Sequence, residues 1–456
     1  MNISDRTKRP GATGTFRWQF PALERFSLPN GLQVWLVERR SLPLVSATFV
    51  LRTGAITDPP GKIGASSLTG DTLDGGTATK DALALSEELE HLGTSFRTKT
   101  GHDGTTLSLI CLHRNLLPSL RIMAEMLTGA THPIQEVERV RTLRLTAITQ
   151  QKDRPASLAA LAFQRILYGE RHPYGTDAGG SDQSVRALLR DDLVKIHSER
   201  YRPGNTTLLL IGPVGRQGAE EILRDALSGW EPSTISSAAL PVVPATGKAG
   251  LHLLDRPASA QSEVRIGKPS LKRNSPDFFP VIVMNRMLGG QFTSRLNATL
   301  REKLGFTYGA WSSFGFGTLG GPFMAGAAVE TAHTGEAVQE FLRVIEGVQD
   351  EGLTEGELRA SIDGIAGGFA LAFETPGQVA SVLANIILYD LPEDYYSTYL
   401  DRLNEVSANA VRSVAAKYLG TSTMATVIVG DTQSLLSQLE SLHRSVNVAT
   451  VEGLRL

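Results

Sequence analysis

Apolar residues recur at helical spacing in several segments, and short β-type runs separate these segments. One predicted helix carries leucines on a single stripe and stops at Gly93: Leu85, Leu89 and Leu92. A strand from Leu107 to Leu112 follows, and the next helix has its apolar residues on one face: Leu116, Leu120, Met123 and Leu127. The pattern predicts the order helix, glycine stop, strand, turn, strand, helix.

The same order returns in the second half of the chain, which indicates an internal repeat with a period near 215 residues. There a predicted helix ends at Gly305, strands follow, and another helix has an apolar face: Val338, Phe341, Leu342 and Ile345. The spacing of other landmarks agrees, since Tyr201 recurs as Tyr418, 217 residues later. The chain is therefore predicted to contain two similar units.

Each unit is predicted to be an α+β domain in which an antiparallel-leaning sheet packs against helices, so that two tandem α/β-sandwich domains arise by duplication. We expect a tail at 1–20, domains at 21–230 and 249–443, a linker rich in Pro, Ser, Ala and Gly at 231–248, and a tail at 444–456. Two such halves on a flexible linker can close on each other like shells, which makes the space between them a natural ligand site.

Composition narrows the function classes. The 456 residues carry a formal charge of −2 and no run of Lys or Arg, which argues against a nucleic-acid scaffold. Cys111 is the single cysteine, so neither an intrachain disulfide nor a multi-cysteine zinc site is expected. The sequence shows no secretory leader and no apolar run long enough to span a membrane, and the cytoplasm is the expected location.

Three segments in order resemble the inverted-zinc-motif metallopeptidases, the family of pitrilysin, insulysin and the mitochondrial processing peptidase. They are "LPNGLQVWLVE", "GASSLTGDTLDGGT" and "LGGQFTSRLNATLREKLGFTY". The likeness covers nearly the whole chain and is greatest to bacterial members with two domains per chain. It implies a fold that forms one half of a clamshell chamber in which peptides are hydrolysed.

In catalytic members of that family, a first-half helix carries His-x-x-Glu-His, and a second Glu about 75 residues on completes the zinc site. The resemblance places Ser67 at the first His, Gly70 at the general base and Asp71 at the second His. The distal ligand falls at Ala147 or Thr146. No zinc-binding residue type remains except Asp71, so the chain is predicted to bind no metal cofactor.

Other metal sites are not supported by the sequence, because its nine histidines include no His-x-x-x-His pair. "EELEH" at 87–91 is interpreted as the exposed face of an amphipathic helix. "GHDG" at 101–104 is interpreted as a turn between strands.

The second half keeps a different family pattern, R-E-K-x-G-x-x-Y, in "LREKLGFTY". The resemblance implies that Arg301 and Tyr308 reach across a chamber to a zinc-bearing partner chain, where they bind substrate and stabilise the tetrahedral intermediate. We expect Arg301 on the last turn of a helix, Gly305 as its break and Tyr308 on the next strand. The alternative is that Arg301 pairs with a nearby carboxylate while Tyr308 only packs.

The glycines on either side of this segment can be explained by local structure or by contact with a substrate. Gly289 and Gly290 are expected to end an apolar helix, with Thr293 or Ser294 capping the next, and they are also candidates for substrate contact at a chamber wall. "FGFGTLGG" at 314–321 is interpreted as a hairpin loop whose backbone could meet an extended substrate.

These observations predict the non-metal-binding subunit of a heterodimeric zinc metallopeptidase, inactive alone and paired with a homologous chain that holds Zn²⁺. Peptides are the expected substrates, and neither nucleic acid nor a membrane is an expected partner. The alternative is a structural or binding protein of the same fold, in the manner of respiratory-complex core subunits, which could form a homodimer.

Overall fold

The fold is seen in a computed structural model that describes residues 19–232, 240–243, 247–442 and 444–454. Nearly all of the tail expected at 1–20 lies outside these ranges, and so does more than half of the linker expected at 231–248. His443 and the final two residues also lie outside them.

The N-terminal half is built on a six-stranded sheet with the order β1-β2-β6-β3-β5-β4. Its strands are β1 (Glu24–Ser27), β2 (Gln33–Glu38), β3 (Leu44–Leu51), β4 (Ser95–Thr100), β5 (Thr105–Leu112) and β6 (Thr206–Gly212). Only β2 and β6 run parallel; the other neighbours are antiparallel. The sheet is therefore antiparallel-leaning, as the sequence predicts.

The C-terminal half has a second six-stranded sheet with the order β12-β7-β11-β8-β10-β9. Its strands are β7 (Gly250–Asp255), β8 (Gln261–Pro269), β9 (Ala310–Phe314), β10 (Pro322–Glu330), β11 (Ala425–Gly430) and β12 (Val446–Ala449). Five strands of each sheet pair in the same pattern, which confirms the α+β duplication. The sixth differs: β1 pairs antiparallel with β2, whereas β12 comes from the expected C-terminal tail and pairs parallel with β7.

The helices follow the same repeated order. The N-terminal half contains α1 (Ala65–Asp71), α2 (Ala82–His91), α3 (Leu116–Gly129), α4 (Ile134–Asp153), α5 (Pro155–Tyr168), α6 (Asp182–Ala187), α7 (Arg190–Arg200) and α8 (Arg216–Ala226). The C-terminal half contains α9 (Phe278–Leu288), α10 (Arg295–Asn297), α11 (Thr334–Glu351), α12 (Glu355–Phe369), α13 (Pro376–Tyr389), α14 (Tyr399–Asn404), α15 (Ala408–Tyr418) and α16 (Thr432–Glu440). A π-type helical turn, Ala298–Lys303, continues α10.

Helices α5 and α13 are exchanged between the halves. Helix α5 packs across β8 and β11 of the C-terminal sheet, and α13 packs across β3 and β6 of the N-terminal sheet. Phe163 of α5 shares an apolar cluster with Val427 of β11, and Leu383 of α13 shares one with Leu209 of β6. The halves thus have common cores, which corrects the expectation that they close on each other about the linker.

Two loops, one from each half, meet at the side chain of Tyr174. The 101–104 segment is a turn between β4 and β5, as predicted, and its Asp103 accepts a hydrogen bond of 2.6 Å from the Tyr174 hydroxyl. The same hydroxyl accepts from the Leu319 backbone N–H at 3.3 Å. The glycine-rich 314–321 segment connects β9 and β10, and its Gly317 is buried against Tyr174, so this part of the loop packs on the N-terminal half.

Among the described residues, no individual helix has the length and apolar character needed to cross a membrane. Only α12 with its following turn and α13 reach that threshold, and then only as a pair bent by 114°.

Candidate functional site

The segment resembling the family's metal helix forms α1, whose first turn is capped by the half-buried carboxylate of Asp58. Gly64 precedes it with φ of +102°, in the left-handed region that favours glycine. Asp58 accepts hydrogen bonds from the backbone N–H groups of Gly64 (2.8 Å) and Ser66 (2.9 Å) and from the Ser66 hydroxyl. Burial raises the pKa of Asp58 to about 6, while these hydrogen bonds oppose the shift. The helix start is therefore capped from a preceding loop.

Arg144 of α4 lies against the α1 residues that correspond to the metal ligands. Its Nη2 donates to the Ser67 hydroxyl at 2.7 Å and lies 3.6 Å from an Asp71 carboxylate oxygen. Its Nη1 lies 4.0 Å from Asp177. A Cβ on Gly179 would come within 2.1 Å of the guanidinium carbon, so glycine makes room for this arginine. A guanidinium thus lies against Ser67 and Asp71, the two residues that the resemblance puts at the positions of the histidine ligands.

Gly70, at the position of the general base, faces β4 at close range. A Cβ on Gly70 would lie 2.7 Å from Thr98 Cγ2 and 3.0 Å from Thr100 Oγ1. The two threonines therefore fill the space that a longer side chain would need.

The position expected for the distal ligand does not contribute to this site. Thr146 is exposed and donates to the Thr142 carbonyl, and Ala147 carries no polar atom on its side chain. Arg144 is the α4 residue that reaches α1, and it precedes Ala147 by three residues. That spacing puts Arg144 and Ala147 on one face of a helix, so the predicted position of the distal ligand also indicates that Arg144 faces α1.

The residues present do not fit a zinc ion. Zinc needs three or four converging His, Cys, Asp or Glu side chains, whereas here Asp71 pairs with a guanidinium. Within the described part of the chain, no three such residues are grouped to hold a metal. Burial raises the pKa of Asp71, and Arg144 opposes the shift. The cluster is thus a hydrogen-bonded ion pair.

A buried histidine pair lies behind α1, and sequence reasoning did not detect it. The rings of His132 and His197 have centroids 5.1 Å apart, and His197 lies 5.1 Å from the Tyr201 ring. His132 Nδ1 is within hydrogen-bond distance of the Thr72 hydroxyl, at 2.8 Å. Burial lowers the pKa of His132 to about 3 and that of His197 to about 4, so both are neutral near pH 7. They are separated by 65 residues without any spacing pattern.

Arg301 lies in the π-type turn before Gly305, whose φ is +71°. Its guanidinium carbon stands 4.3 Å from the Phe292 ring centroid, and its Nη1 lies 3.1 Å from Glu302. The predicted helical position and glycine break therefore hold. The adjacent carboxylate matches the alternative interpretation for Arg301, but it comes from the neighbouring residue on an exposed surface.

Tyr308 lies in the loop before β9 and not on a strand, which corrects the prediction. Its side chain is 92% exposed. The Thr307 hydroxyl donates to the Gly309 carbonyl and accepts from the Gly309 N–H, each at 3.1 Å. This local turn interrupts the extended backbone, so β9 begins only at Ala310. The phenol is consequently available to a ligand from outside the chain.

The loop that carries these groups is tied to its surroundings by two side chains. Asn297 donates to the Phe292 carbonyl at 2.6 Å and accepts from the Ala310 N–H at 3.1 Å. Arg295 makes a forked pair with Glu357 of α12, at 2.8 and 2.6 Å. Arg295 holds the pKa of Glu357 down to about 2. This fixed base presents Arg301 and Tyr308 on one short segment.

The two candidate glycines have different surroundings. Gly289 ends α9 as predicted, but it is buried, and a Cβ there would come 2.3 Å from the Ser312 N, so helix–strand packing accounts for it. Gly290 is exposed and borders a cleft beside α9. Ser294 precedes α10 without making the predicted side-chain cap.

Comparison with known proteins identifies sequences and structures that are similar to this chain. Residues 187–365 match the family described as the peptidase M16 inactive domain. An uncharacterized zinc protease of Streptomyces coelicolor is 26% identical over 409 residues, which cover 87% of each chain.

Solved structures share the fold. The crystal structure of a peptidase M16 inactive domain from Pseudomonas fluorescens superposes with a TM-score of 0.83 at 27% identity, over 90% of this chain and 98% of that one. A protease from Helicobacter pylori has the same TM-score, 0.83, at 20% identity, over 90% and 100% of the two chains. The chain is thus similar over most of its length to M16-type peptidases, and with Ser67, Gly70 and Asp71 it lacks the His-x-x-Glu-His zinc motif.

Proposed function

We propose that this chain is the non-metal-binding subunit of a heterodimeric zinc metallopeptidase. The observation that carries the proposal is the contrast between two segments of one chain. Arg144 donates to Ser67 of α1, which the resemblance puts at a metal-ligand position, whereas half-buried Arg301 and exposed Tyr308 stand on one short, anchored segment. The metal chemistry would therefore belong to a partner chain, a homologue with His-x-x-Glu-His.

The proposed contribution of this chain is electrophilic. A guanidinium and a phenol both donate hydrogen bonds, and both suit the carbonyl oxygen of a bound peptide and the oxyanion that forms on attack. The Phe292 ring packs against the Arg301 guanidinium, whose Nη1 is buried and has no hydrogen-bond partner among the described residues, so donor capacity remains for a ligand. Substrates would be peptides or unfolded segments enclosed between the two subunits, and the cytoplasm remains the expected compartment.

The test is reconstitution with the homologue that carries the zinc motif. We expect neither chain alone to cleave a quenched fluorescent peptide efficiently, and the mixture to do so. Arg301→Ala or Tyr308→Phe in the mixture should lower kcat/KM by about 10²–10³ each, because each removes one donor to the transition state. Both variants should keep the subunit affinity and the zinc content of the partner.

Arg343→Ala is the matched control, because Arg343 is an exposed arginine of the same half that pairs with Glu340 on α11. Full activity of the Arg301→Ala, Tyr308→Phe double variant would refute the proposal. A stable homodimer without peptidase activity in any mixture would favour the structural or binding alternative.

A further inference from the structure

A cleft of about 310 Å³ lies between α9, β9 and α12; it borders Gly290 but is lined by neither Arg301 nor Tyr308. Its walls are mostly apolar and come from Ile282, Phe314, Phe316 and Ile365. Arg286 of α9 and Ser313 of β9 add a positive charge and a hydroxyl to this lining. The volume is at the lower end for ligand sites, which suits one or two amino-acid residues.

Arg286 has an unmatched charge. Among the described residues no carboxylate lies within 4.0 Å of it, whereas half-buried Arg144 and Arg295 each have an acidic neighbour. Its Nε is buried and has no hydrogen-bond partner in that part of the chain. A cation partly removed from water without a counter-charge is unfavourable, so the site favours an anion.

The position of the guanidinium is fixed by Gly364. A Cβ on that residue of α12 would lie 2.4 Å from Arg286 Nη2 and 2.5 Å from its Nε. The guanidinium therefore rests on the α12 backbone, at the border of the cleft. Glycine at 364 leaves the space for this close approach.

The internal repeat allows the cleft beside α9 to be compared with the equivalent place beside α1. Helices α1 and α9 occupy the same position in their halves, because α1 contacts β4, α4 and α7 as α9 contacts β9, α12 and α15. The corresponding place in the N-terminal half is occupied by Arg144, which Asp71 and Asp177 neutralise. Of these two places, the C-terminal one combines the arginine with an apolar cleft and, within the part of the chain that the structure describes, has no carboxylate within 4.0 Å.

We propose that this cleft binds a carboxylate attached to an apolar group, as in the C-terminal residue of a peptide. The Arg286 fork would hold the carboxylate, and Ser313 can donate a further hydrogen bond. The apolar walls would receive the adjoining side chain. This inference deepens the proposed function by naming a feature of the peptide that is recognised, and it rests on peptide binding by this subunit.

The experiment uses the intact chain without its partner and measures fluorescence anisotropy of three N-terminally labelled peptides. One ends in Phe with a free carboxylate, the second ends in Phe-amide, and the third is amidated but carries a Glu side chain near its end. We expect the free carboxylate to bind about 10- to 100-fold more tightly than the first amide. The third peptide shows whether a side-chain carboxylate serves equally.

Arg286→Gln should remove the difference between acid and amide, and Arg359→Gln is the matched control. Arg359 is a solvent-exposed arginine of α12 that pairs with Asp363 and does not line the cleft. Gly364→Ala provides a second variant: alanine favours helix over glycine, so the fold is retained while the guanidinium must move. We expect its acid preference to fall as well.

Equal affinity for acid and amide in the natural chain would overturn the proposal, and so would an unchanged preference in folded Arg286→Gln. The result is separable from the proposed function. Carboxylate binding by the lone chain does not depend on Arg301 or Tyr308, and loss of turnover in the Arg301 and Tyr308 variants would leave this binding intact.

Discussion

At the scale of single residues, Arg144 makes a structural contact with the α1 residues that the resemblance puts at ligand positions. Its guanidinium donates a hydrogen bond to the Ser67 hydroxyl and balances the charge of Asp71, the one carboxylate at the expected ligand positions. A divalent cation would have to displace this arginine and then find only a single anionic ligand. Restoring one histidine would therefore leave the charge and the ligand number wrong.

Gly70 gives the first prediction. Gly70→Ala should lower the free energy of unfolding by about 1–3 kcal/mol, because the new Cβ meets Thr98 at 2.7 Å and β4 must shift. Urea denaturation measures the change. Gly347→Ala is the matched control, since this helical glycine of α11 has open space around it and alanine should be neutral or stabilising there. Equal effects at the two positions would contradict the packing argument.

The buried histidines give a pH prediction. The folded pKa values of His132 and His197, about 3 and about 4, lie below the ordinary value of 6.5. Between pH 6.5 and about 4 the unfolded chain binds protons that the folded chain does not, so these groups make stability fall as the pH falls. Asp58, with its pKa raised from 3.8 to about 6, acts oppositely between those two values.

Variants separate the two contributions in urea midpoints measured from pH 7 to pH 4. His197→Phe should make the loss of stability toward low pH shallower, because one buried base is removed. Asp58→Asn should make it steeper, because the opposing carboxyl is gone. Slopes unchanged in both variants would show that other groups control the acid response.

At the scale of elements, the segment from α10 to β9 depends on the Arg295–Glu357 fork. Glu357→Gln should cost about 1–3 kcal/mol, since a charged hydrogen-bonded pair between two helices is lost. Glu357 also accepts from the Thr354 N–H in the capping box of α12, so Thr354→Ala measures the cap alone. A double-mutant cycle with Arg295→Met isolates the pair, and a coupling energy near zero would contradict its anchoring role.

The apolar stripes made the helices predictable, because helices such as α3 and α11 bury one face. An apolar stripe indicates that one face of a helix is buried, but it does not identify the sheet that covers this face. The exchange of α5 and α13 between the halves could therefore not be predicted. Family spacing located the Arg301 turn, yet Tyr308 was misplaced because a side-chain hydrogen bond at Thr307 interrupts the extended chain. Contacts between distant positions, such as the histidine pair, leave no pattern in a single sequence.

At the scale of the molecule, the exchanged helices make each half part of the other's core. Apolar clusters that join α5 to β11 and α13 to β6 span both halves. Ion pairs such as Arg52–Asp390, at 2.6 Å, add to the same boundary. Under the proposed function, an opening motion that admits substrate is therefore expected between this chain and the proposed partner subunit and not between its own halves.

The last prediction follows from that shared core. The chain should unfold in one calorimetric transition, with a van't Hoff enthalpy equal to the calorimetric enthalpy. Each sheet is packed against a helix from the other half, so unfolding of one half would expose apolar residues of the other sheet. Phe163→Ala should cost about 3–5 kcal/mol and move the single transition to lower temperature without splitting it. Phe163 belongs to the N-terminal half, yet its ring abuts Gly267 of the C-terminal sheet. Two separate transitions, of which only one shifts in the variant, would mean that the halves fold independently despite the exchange.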